Sequence, residues 1–319
     1  MKHRNLPGTD LSLSVVGLGC WAIGGMWWGE DVDDATSVAA IHAALDHGIN
    51  WFDTAPLYGH GHADDLLRGA LDGRPAIIAT KVGVRWQAGS DHAESDLSPD
   101  HVVSDTEASL SRLGLDCIDL LQVHWPCERG TPLADTLDAL EGLREAGKIR
   151  WYGLCNYDAE GILQARKRPG MVSLQTPYSL LRRELEGSLR DSCTEGPNPL
   201  GILAYEPLCR GLLTGKFTAQ QRFPDSDLRA WDDRFQGARF QHGLGLVRDL
   251  GRAAERVDLP LAALAVGWVL AQEGLTSAIV GAKRPAQVAQ NVRAAELLGR
   301  DKLWSVVDRI AAMHGGWSQ

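Results

Sequence analysis

The chain has 319 residues, a formal net charge of −9 at pH 7, 44% hydrophobic residues and 23% charged residues. This composition is typical of a globular protein with a large core, so it excludes an intrinsically disordered chain. The negative charge argues against nucleic acid or an anionic membrane as a general partner, because binding a phosphate polymer requires a clustered basic face.

Several features favour a cytoplasmic location. Residues 1–8 have a basic start with no apolar stretch behind it, which argues against a secretory signal. The longest apolar run, 259–271, contains a proline and is shorter than the roughly 20 residues that span a bilayer. The six cysteines have no paired spacing, which indicates reduced thiols.

Short apolar segments that end in polar or glycine-containing loops are predicted to be buried strands. There are eight of them, at 15–19, 49–53, 76–81, 118–124, 149–156, 172–175, 201–205 and 277–281. Segments with helical spacing follow or separate them, at 34–48, 64–71, 98–113, 132–147, 157–168, 244–256, 261–273 and 285–298. A long polar segment, 216–243, is interpreted either as a mobile flap over a cofactor or as an ordered surface insertion.

This alternation predicts an α/β fold, a single (β/α)8 TIM barrel that spans residues 1–319 as one domain. The opening segment, with its Pro7–Gly8 turn, is expected to form an N-terminal β-hairpin cap. Barrels of this kind place their active site at the C-terminal ends of the strands.

Polar residues stand at the ends of six predicted strands, where burial costs free energy unless the group is paired or in use. They are Asp53, Lys81, His124, Asn156, Gln175 and Tyr205. Each has an ordinary explanation by itself, as a helix cap, a solvated end or a hydrogen-bonded core residue. In a barrel, however, all six converge on one mouth.

Tyr58 lies in the loop just after Asp53 and completes a set suited to proton donation. The Lys81 ammonium is expected to lower the pKa of Tyr58, and Asp53 is expected to keep Lys81 protonated. His124 could orient a carbonyl oxygen toward Tyr58 by a hydrogen bond. Such a set suits carbonyl reduction, in which hydride reaches the carbon and a proton reaches the oxygen.

The sequence resembles the aldo-keto reductases over nearly its whole length, and most closely their bacterial general-stress branch. The resemblance rests on DTAPLYG at 53–59, ATK at 79–81, HWP at 124–126, GLCN at 153–156, YEPL at 205–208, GLLTGK at 211–216 and GAKRP at 281–285. It implies an NAD(P)H-dependent barrel oxidoreductase with a catalytic tetrad of Tyr58, Asp53, Lys81 and His124, in which Tyr58 is the general acid.

The resemblance also implies a bound nicotinamide coenzyme, NADPH in preference to NADH, with Lys283 and Arg284 near its 2′-phosphate. The residues expected to hold it are Gly19, Trp21, Asp53, Cys155, Asn156, Gln175, Tyr205, Pro207, Leu208, Gly211, Gly215, Lys216, Gly281, Lys283, Arg284, Gln287, Gln290 and Asn291. The expected substrate pocket comprises Trp21, Tyr58, Trp86, His124 and Trp125. Cys155 departs from the family pattern, which has Ser there.

We therefore predict a cytoplasmic reductase of aldehydes, ketones or sugar carbonyls, with a small-molecule substrate and no nucleic-acid or membrane partner, acting as a monomer or homo-oligomer. The alternatives are a sugar dehydrogenase that runs in the oxidative direction with NAD(P), a nicotinamide-binding regulatory subunit, and a metal-dependent barrel hydrolase or isomerase. No metal site is expected, because His60, His62, Asp64 and Asp65 lack the spacing of zinc ligands. A Rossmann fingerprint at 17–22 is disfavoured, because the glycines and tryptophans after it do not open a helix easily.

Overall fold

A computed structural model describes residues 1–28, 33–86 and 93–315. The strands are, in chain order, β1 (His3–Asn5), β2 (Ser12–Ser14), β3 (Val16–Gly19), β4 (Trp51–Asp53), β5 (Ile77–Val82), β6 (Val84–Trp86), β7 (Ala93–Ser95), β8 (Ile118–Val123), β9 (Ile149–Cys155), β10 (Met171–Pro177), β11 (Gly201–Tyr205) and β12 (Leu275–Gly281). The helices are α1 (Asp34–Asp46), α2 (His62–Leu71), α3 (Pro99–Leu113), α4 (Leu133–Glu145), α5 (Ala159–Ala165), α6 (Ser188–Thr194), α7 (Gly237–Glu255), α8 (Leu261–Leu270), α9 (Pro285–Val292) and α10 (Asp301–Met313).

Eight strands close into a parallel barrel, and their order around it follows the chain: β3, β4, β5, β8, β9, β10, β11 and β12. Each overlaps one predicted strand, and β11 coincides with the predicted 201–205. The predicted (β/α)8 TIM barrel is confirmed.

The predicted N-terminal hairpin cap is also present. β1 and β2 pair in antiparallel register and carry Leu6, Leu11 and Leu13 into an apolar cluster inside the barrel. Leu6 sits so close to the first residue of β11 that a Cβ on Gly201 would lie 2.3 Å from the leucine Cδ1. The hairpin therefore closes the barrel at the N-terminal ends of its strands.

Two strands and two helices were not predicted: the antiparallel pair β6 and β7, and the helices α6 and α10. In addition, α7 begins at Gly237, although the sequence placed the start of that helix at 244. Its first turns are rich in polar residues, and Phe240 and Gly243 provide its buried contacts there, so the apolar periodicity is weak until Leu246.

The polar segment before α7 is packed onto the barrel. Two 3-10 turns, Leu228–Ala230 and Asp233–Phe235, begin at Asp227 and Asp232, whose side chains cap them. Phe217 and Phe223 stack edge to face at 5.3 Å, which anchors the segment by apolar burial. In this structure the segment is ordered against the barrel, and its role as a flap over a cofactor stays a prediction.

All six cysteines are free thiols. Within the described ranges, no helix combines the length and the apolar character that crossing a membrane requires.

Candidate active site

The C-terminal ends of the barrel strands surround an open cavity of about 560 Å³. All six polar strand-end residues of the prediction lie in its wall: Asp53, Lys81, His124, Asn156, Gln175 and Tyr205. Tyr58, which follows β4 in the chain, lies in the same wall. The barrel thus brings together residues that are up to about 150 positions apart in the sequence.

Side chains fill the barrel above the hairpin in layers. The lower layer is apolar and includes Trp51 of β4 and Ala79 of β5. Because side chains alternate along a strand with a period of two, the next inward positions on these strands are Asp53 and Lys81. Their strands lie side by side, with Asp53 opposite Ala79. The strand register therefore places a carboxylate and an ammonium next to each other inside a closed barrel.

Lys81 and Asp53 form a buried ion pair. The Lys81 Nζ donates to Asp53 Oδ1 at 2.6 Å and to the Thr54 carbonyl oxygen at 3.0 Å. The second carboxylate oxygen of Asp53 accepts from Gln175 Nε2 at 2.7 Å. Burial lowers the pKa of Lys81, but the charge and hydrogen bond of Asp53, together with the effects of Tyr58 and Cys155, outweigh burial, so that the pKa is raised overall. The lysine is held as an ammonium.

Tyr58 lies directly over this ammonium. The Lys81 Nζ is 4.9 Å from the centre of the Tyr58 ring, and the ring also stacks on Trp21 at 6.3 Å between centroids. Burial raises the pKa of Tyr58 and outweighs the opposing effect of the Lys81 charge. The expectation of a lowered Tyr58 pKa is therefore wrong, because it omitted desolvation. Tyr58 is a neutral phenol with a proton to give.

His124 completes the set on the other side of Tyr58. The centroids of the Tyr58 and His124 rings are 6.1 Å apart, and the His124 ring stacks on Trp125 at 3.9 Å. Burial, assisted by the nearby Lys81 charge, holds the pKa of His124 well below its ordinary value. A neutral imidazole can donate one hydrogen bond to an uncharged oxygen in the cavity.

A second polar chain runs from His124 to Tyr205. The Asn156 Nδ2 donates to the His124 carbonyl oxygen at 2.9 Å, and the Tyr205 hydroxyl donates to Asn156 Oδ1 at 2.8 Å. Asn156 adopts a φ of 63°, a left-handed conformation that asparagine tolerates better than most residues. The bonds on both sides of its amide fix the direction in which Asn156 faces the cavity.

Most of the expected coenzyme residues also lie in the cavity wall. They are Gly19, Trp21, Asp53, Asn156, Gln175, Tyr205, Pro207, Leu208, Gly211, Lys216, Gly281, Lys283, Arg284, Gln287, Gln290 and Asn291. Near the start of α9, the Gln287 side chain accepts from the backbone N–H groups of Lys283 and Arg284 at 2.7 and 3.1 Å. The Lys283 ammonium donates to the Trp28 carbonyl oxygen at 2.6 Å, so two walls of the cavity are joined there.

Three expected residues do not line the cavity. Cys155 is buried behind the wall, and Gly215 lies in a turn just beyond it. Trp86 instead stacks on His60, with nearly parallel rings 5.3 Å apart. The structure thus brings together four of the five expected substrate-pocket residues, namely Trp21, Tyr58, His124 and Trp125.

Sequence analysis missed a group of charged residues in and behind the cavity wall. Glu206 is buried among three guanidinium groups: Arg182 at 3.4 Å, Arg210 at 2.8 Å and Arg234 at 3.2 Å. Arg229, also in the wall, pairs with Asp227, and its guanidinium carbon lies 4.6 Å above the Phe223 ring. The repeated Asp-x-Arg at 227–229 and 232–234 was the sequence signal that could have identified this region.

The wall is strongly cationic although the chain is acidic. Among the described residues it contains seven lysine and arginine side chains and two carboxylates, in a protein with a net charge of −9. A site with this balance attracts anionic ligands, and phosphate groups in particular. The large cavity, the fixed amides and the cationic wall together fit a dinucleotide coenzyme.

The other candidate motifs have structural explanations. The segment 17–22 runs along β3 into a turn, and no helix begins in it. His62 bonds to Asp34, while Asp64 is buried against Thr54 and Arg112. Within the described residues, no three His, Cys, Asp or Glu side chains are grouped so that they could hold a metal ion.

Comparisons with known proteins agree with this geometry. The sequence model of the Aldo/keto reductase family matches residues 15–312. The aldo-keto reductase YhdN of Bacillus subtilis (strain 168) is 38% identical over 293 residues, which is 90% of this chain and 87% of that protein. The NADH-specific methylglyoxal reductase of Escherichia coli (strain K12) is 34% identical over 308 residues, 92% of this chain and 93% of that protein. The structure of the glycerol dehydrogenase AKR11B4 from Gluconobacter oxydans superposes with a TM-score of 0.88 at 37% identity, covering 98% of this chain and 96% of that one.

Proposed function

The chain belongs to the aldo-keto reductase family, and we propose that it is an NADPH-dependent oxidoreductase that reduces aldehyde or ketone carbonyls, including those of sugars, to alcohols. The observation that carries the proposal is the buried Lys81–Asp53 pair directly beneath the neutral phenol of Tyr58. The proposal includes one domain over residues 1–319 and a cytoplasmic location.

The coenzyme, when bound, supplies the hydride to the carbonyl carbon. Tyr58 then gives its proton to the carbonyl oxygen, and the phenolate that forms is stabilised by the Lys81 ammonium 4.9 Å from the ring centre. Asp53 holds the lysine in place and keeps it charged. His124, being neutral, donates a hydrogen bond to the same oxygen and orients it toward Tyr58.

Residues on three sides of the cavity would hold the coenzyme. Asn156 and Gln175 offer amides for the nicotinamide carboxamide, and Tyr205 offers a ring face. Lys283 and Arg284, beside the N-terminus of α9, offer positive charge for a 2′-phosphate. This last feature favours NADPH, although the Escherichia coli relative is NADH-specific.

The expected substrate is small and oxygenated. Trp21, Leu57 and Trp125 give an apolar lining around Tyr58 and His124, which suits the carbon skeleton of an aldehyde or ketone. The similarity to a methylglyoxal reductase and a glycerol dehydrogenase supports this size class. The second of these also favours, as an alternative, alcohol oxidation with NAD(P)+, in which Tyr58 would accept the proton instead.

The test is a panel of simple aldehydes, α-dicarbonyls and sugars, monitored through NADPH oxidation by the wild type and by Tyr58→Phe. We expect turnover by the wild type and a loss of about 10²-fold or more in Tyr58→Phe, because the proton donor is removed, with NADPH binding retained. Near-normal turnover in Tyr58→Phe would contradict the role of the tyrosine. Binding of NADPH without oxidation by any substrate would favour a regulatory subunit.

A further inference from the structure

A buried carboxylate outside the cavity wall remains to be explained. Asp64 lies in the first turn of α2, has no exposed surface and does not line the cavity. A charged group is almost never fully buried unless it is paired. Both of its oxygens are in use: Oδ1 accepts from the Thr54 hydroxyl at 2.6 Å, and Oδ2 accepts from Arg112 Nε at 3.1 Å.

The bond to Thr54 ties together the ends of the loop that carries Tyr58, and the bond to Arg112 ties one of these ends to α3. Thr54 is the first residue after β4, and Asp64 is near the start of α2, so the bond between them spans the loop. Within the loop, the Tyr58 amide donates to the Ala55 carbonyl oxygen at 2.9 Å, and the Tyr58 carbonyl oxygen accepts from the Ala63 amide at 3.2 Å. The position of Tyr58 thus depends on where both ends are held.

Thr54 also connects Asp64 to the catalytic lysine. Its carbonyl oxygen is the second acceptor of the Lys81 ammonium, at 3.0 Å, and its amide donates to the Ala79 carbonyl oxygen at 2.9 Å. A shift of Thr54 therefore changes the place of the ammonium under the Tyr58 ring. The far side is braced by α3, because Arg112 packs so closely on Gly61 that a Cβ there would lie 2.8 Å from the arginine Cδ.

We propose that Asp64, braced by Arg112, is a positioning residue for the reaction: through the Thr54 hydroxyl it sets the placement of Tyr58 relative to Lys81. The inference rests on the proposed role of Tyr58 as proton donor. Asp64 touches neither the cavity nor the reacting atoms, so its effect passes entirely through Thr54 and the loop.

The sharpest test deletes only the connecting hydroxyl. In Thr54→Val the backbone carbonyl that holds Lys81 is kept, whereas in Thr54→Ser the hydroxyl is kept as well. The chain offers a matched control, since the Tyr152 hydroxyl donates to Glu141 Oε1 at 2.7 Å and Arg144 pairs with the same carboxylate at 2.8 Å, away from the cavity. Tyr152→Phe also removes a hydroxyl that donates to a carboxylate paired with an arginine, but it leaves the loop that carries Tyr58 unchanged.

We expect Thr54→Val to lower kcat about 10- to 100-fold, because a misplacement of this kind is costly even when binding is intact. The KM for the carbonyl and the Kd for NADPH, measured by tryptophan fluorescence, should change little. Thr54→Ser should restore kcat, and Tyr152→Phe should lose stability without a comparable loss of kcat.

Amide hydrogen exchange provides a readout that needs no turnover. The amides of Tyr58 and Ala63 should exchange faster in Thr54→Val than in the wild type, and at the wild-type rate in Tyr152→Phe. Unchanged exchange, or a kcat loss no greater than that of Tyr152→Phe, would overturn the inference. If the wild type itself turns over no carbonyl, the proposed function fails, and the exchange rates still decide whether the Thr54–Asp64 bond holds the loop.

Discussion

The two sides of the cavity are held together by different kinds of contact. On the proton-transfer side, Asp53 and Lys81 project from neighbouring strands, and the closed barrel fixes their positions. On the coenzyme side, Glu206 and Arg210 lie on a loop after β11, where both have positive φ angles, 52° and 54°. Such conformations cost about 1–3 kcal/mol each in non-glycine residues and persist only where the surroundings hold them. One side is therefore placed by register, and the other by ion pairs that hold a strained loop.

The largest effect is expected from removing the Lys81–Asp53 ion pair, whose partners are held by neighbouring strands. Lys81→Met leaves Asp53 buried without its cation, which typically costs about 3–5 kcal/mol of unfolding free energy. It also removes the charge that stabilises the Tyr58 phenolate, so kcat should fall by about 10³-fold. Denaturant unfolding and steady-state kinetics measure the two losses. A variant that retains wild-type kcat would show that the ammonium is only structural.

An intermediate effect is expected from removing the Glu206 carboxylate, whose ion pairs hold the loop after β11. Burial raises the pKa of Glu206, but the three arginines offset this and hold the pKa below its ordinary value. Glu206→Gln should therefore cost about 2–4 kcal/mol of stability, since three guanidinium groups lose a shared carboxylate. The loop should loosen and weaken NADPH binding about tenfold, with a smaller change in kcat. The opposite pattern, with kcat lost and coenzyme affinity retained, would contradict the division of the cavity into two sides.

The smallest effect is expected for Lys283, where the affinities for NADPH and NADH can be compared. Lys283→Ala should weaken NADPH binding by about tenfold, the loss of one charge-assisted contact to phosphate, and leave NADH binding nearly unchanged. Titration with each coenzyme, followed by tryptophan fluorescence, measures the difference. Lys302→Ala, at an exposed position on α10, is the control for a general change in charge. Equal losses for both coenzymes would argue against a 2′-phosphate contact at Lys283.

The same division explains what the sequence could predict. The positions of Asp53 and Lys81 could be predicted because each stands at the end of a short apolar segment that is recognisable as a strand. Once these segments are assigned to a barrel, their C-terminal ends are expected to converge at one mouth. The cluster around Glu206 depends on partners 24 and 28 residues away, and on non-glycine residues in left-handed conformations, which no local pattern encodes. The Tyr58 pKa also escaped prediction, because desolvation depends on the completed fold.

In the proposed reaction, the hairpin beneath the barrel bears on how Tyr58 would recover its proton. Leu6, Leu11 and Leu13 lie against an apolar layer that includes Trp51 and Leu203, and this layer lies between the hairpin and the polar residues at the mouth. Tyr58 lines the open cavity, so in the proposed reaction the mouth that admits the ligands is also a direct route for protons from bulk water. Reprotonation of the phenolate would then be coupled in time to the departure of the product, and a solvent isotope effect on turnover would report on the opening of that mouth as well as on the chemical step.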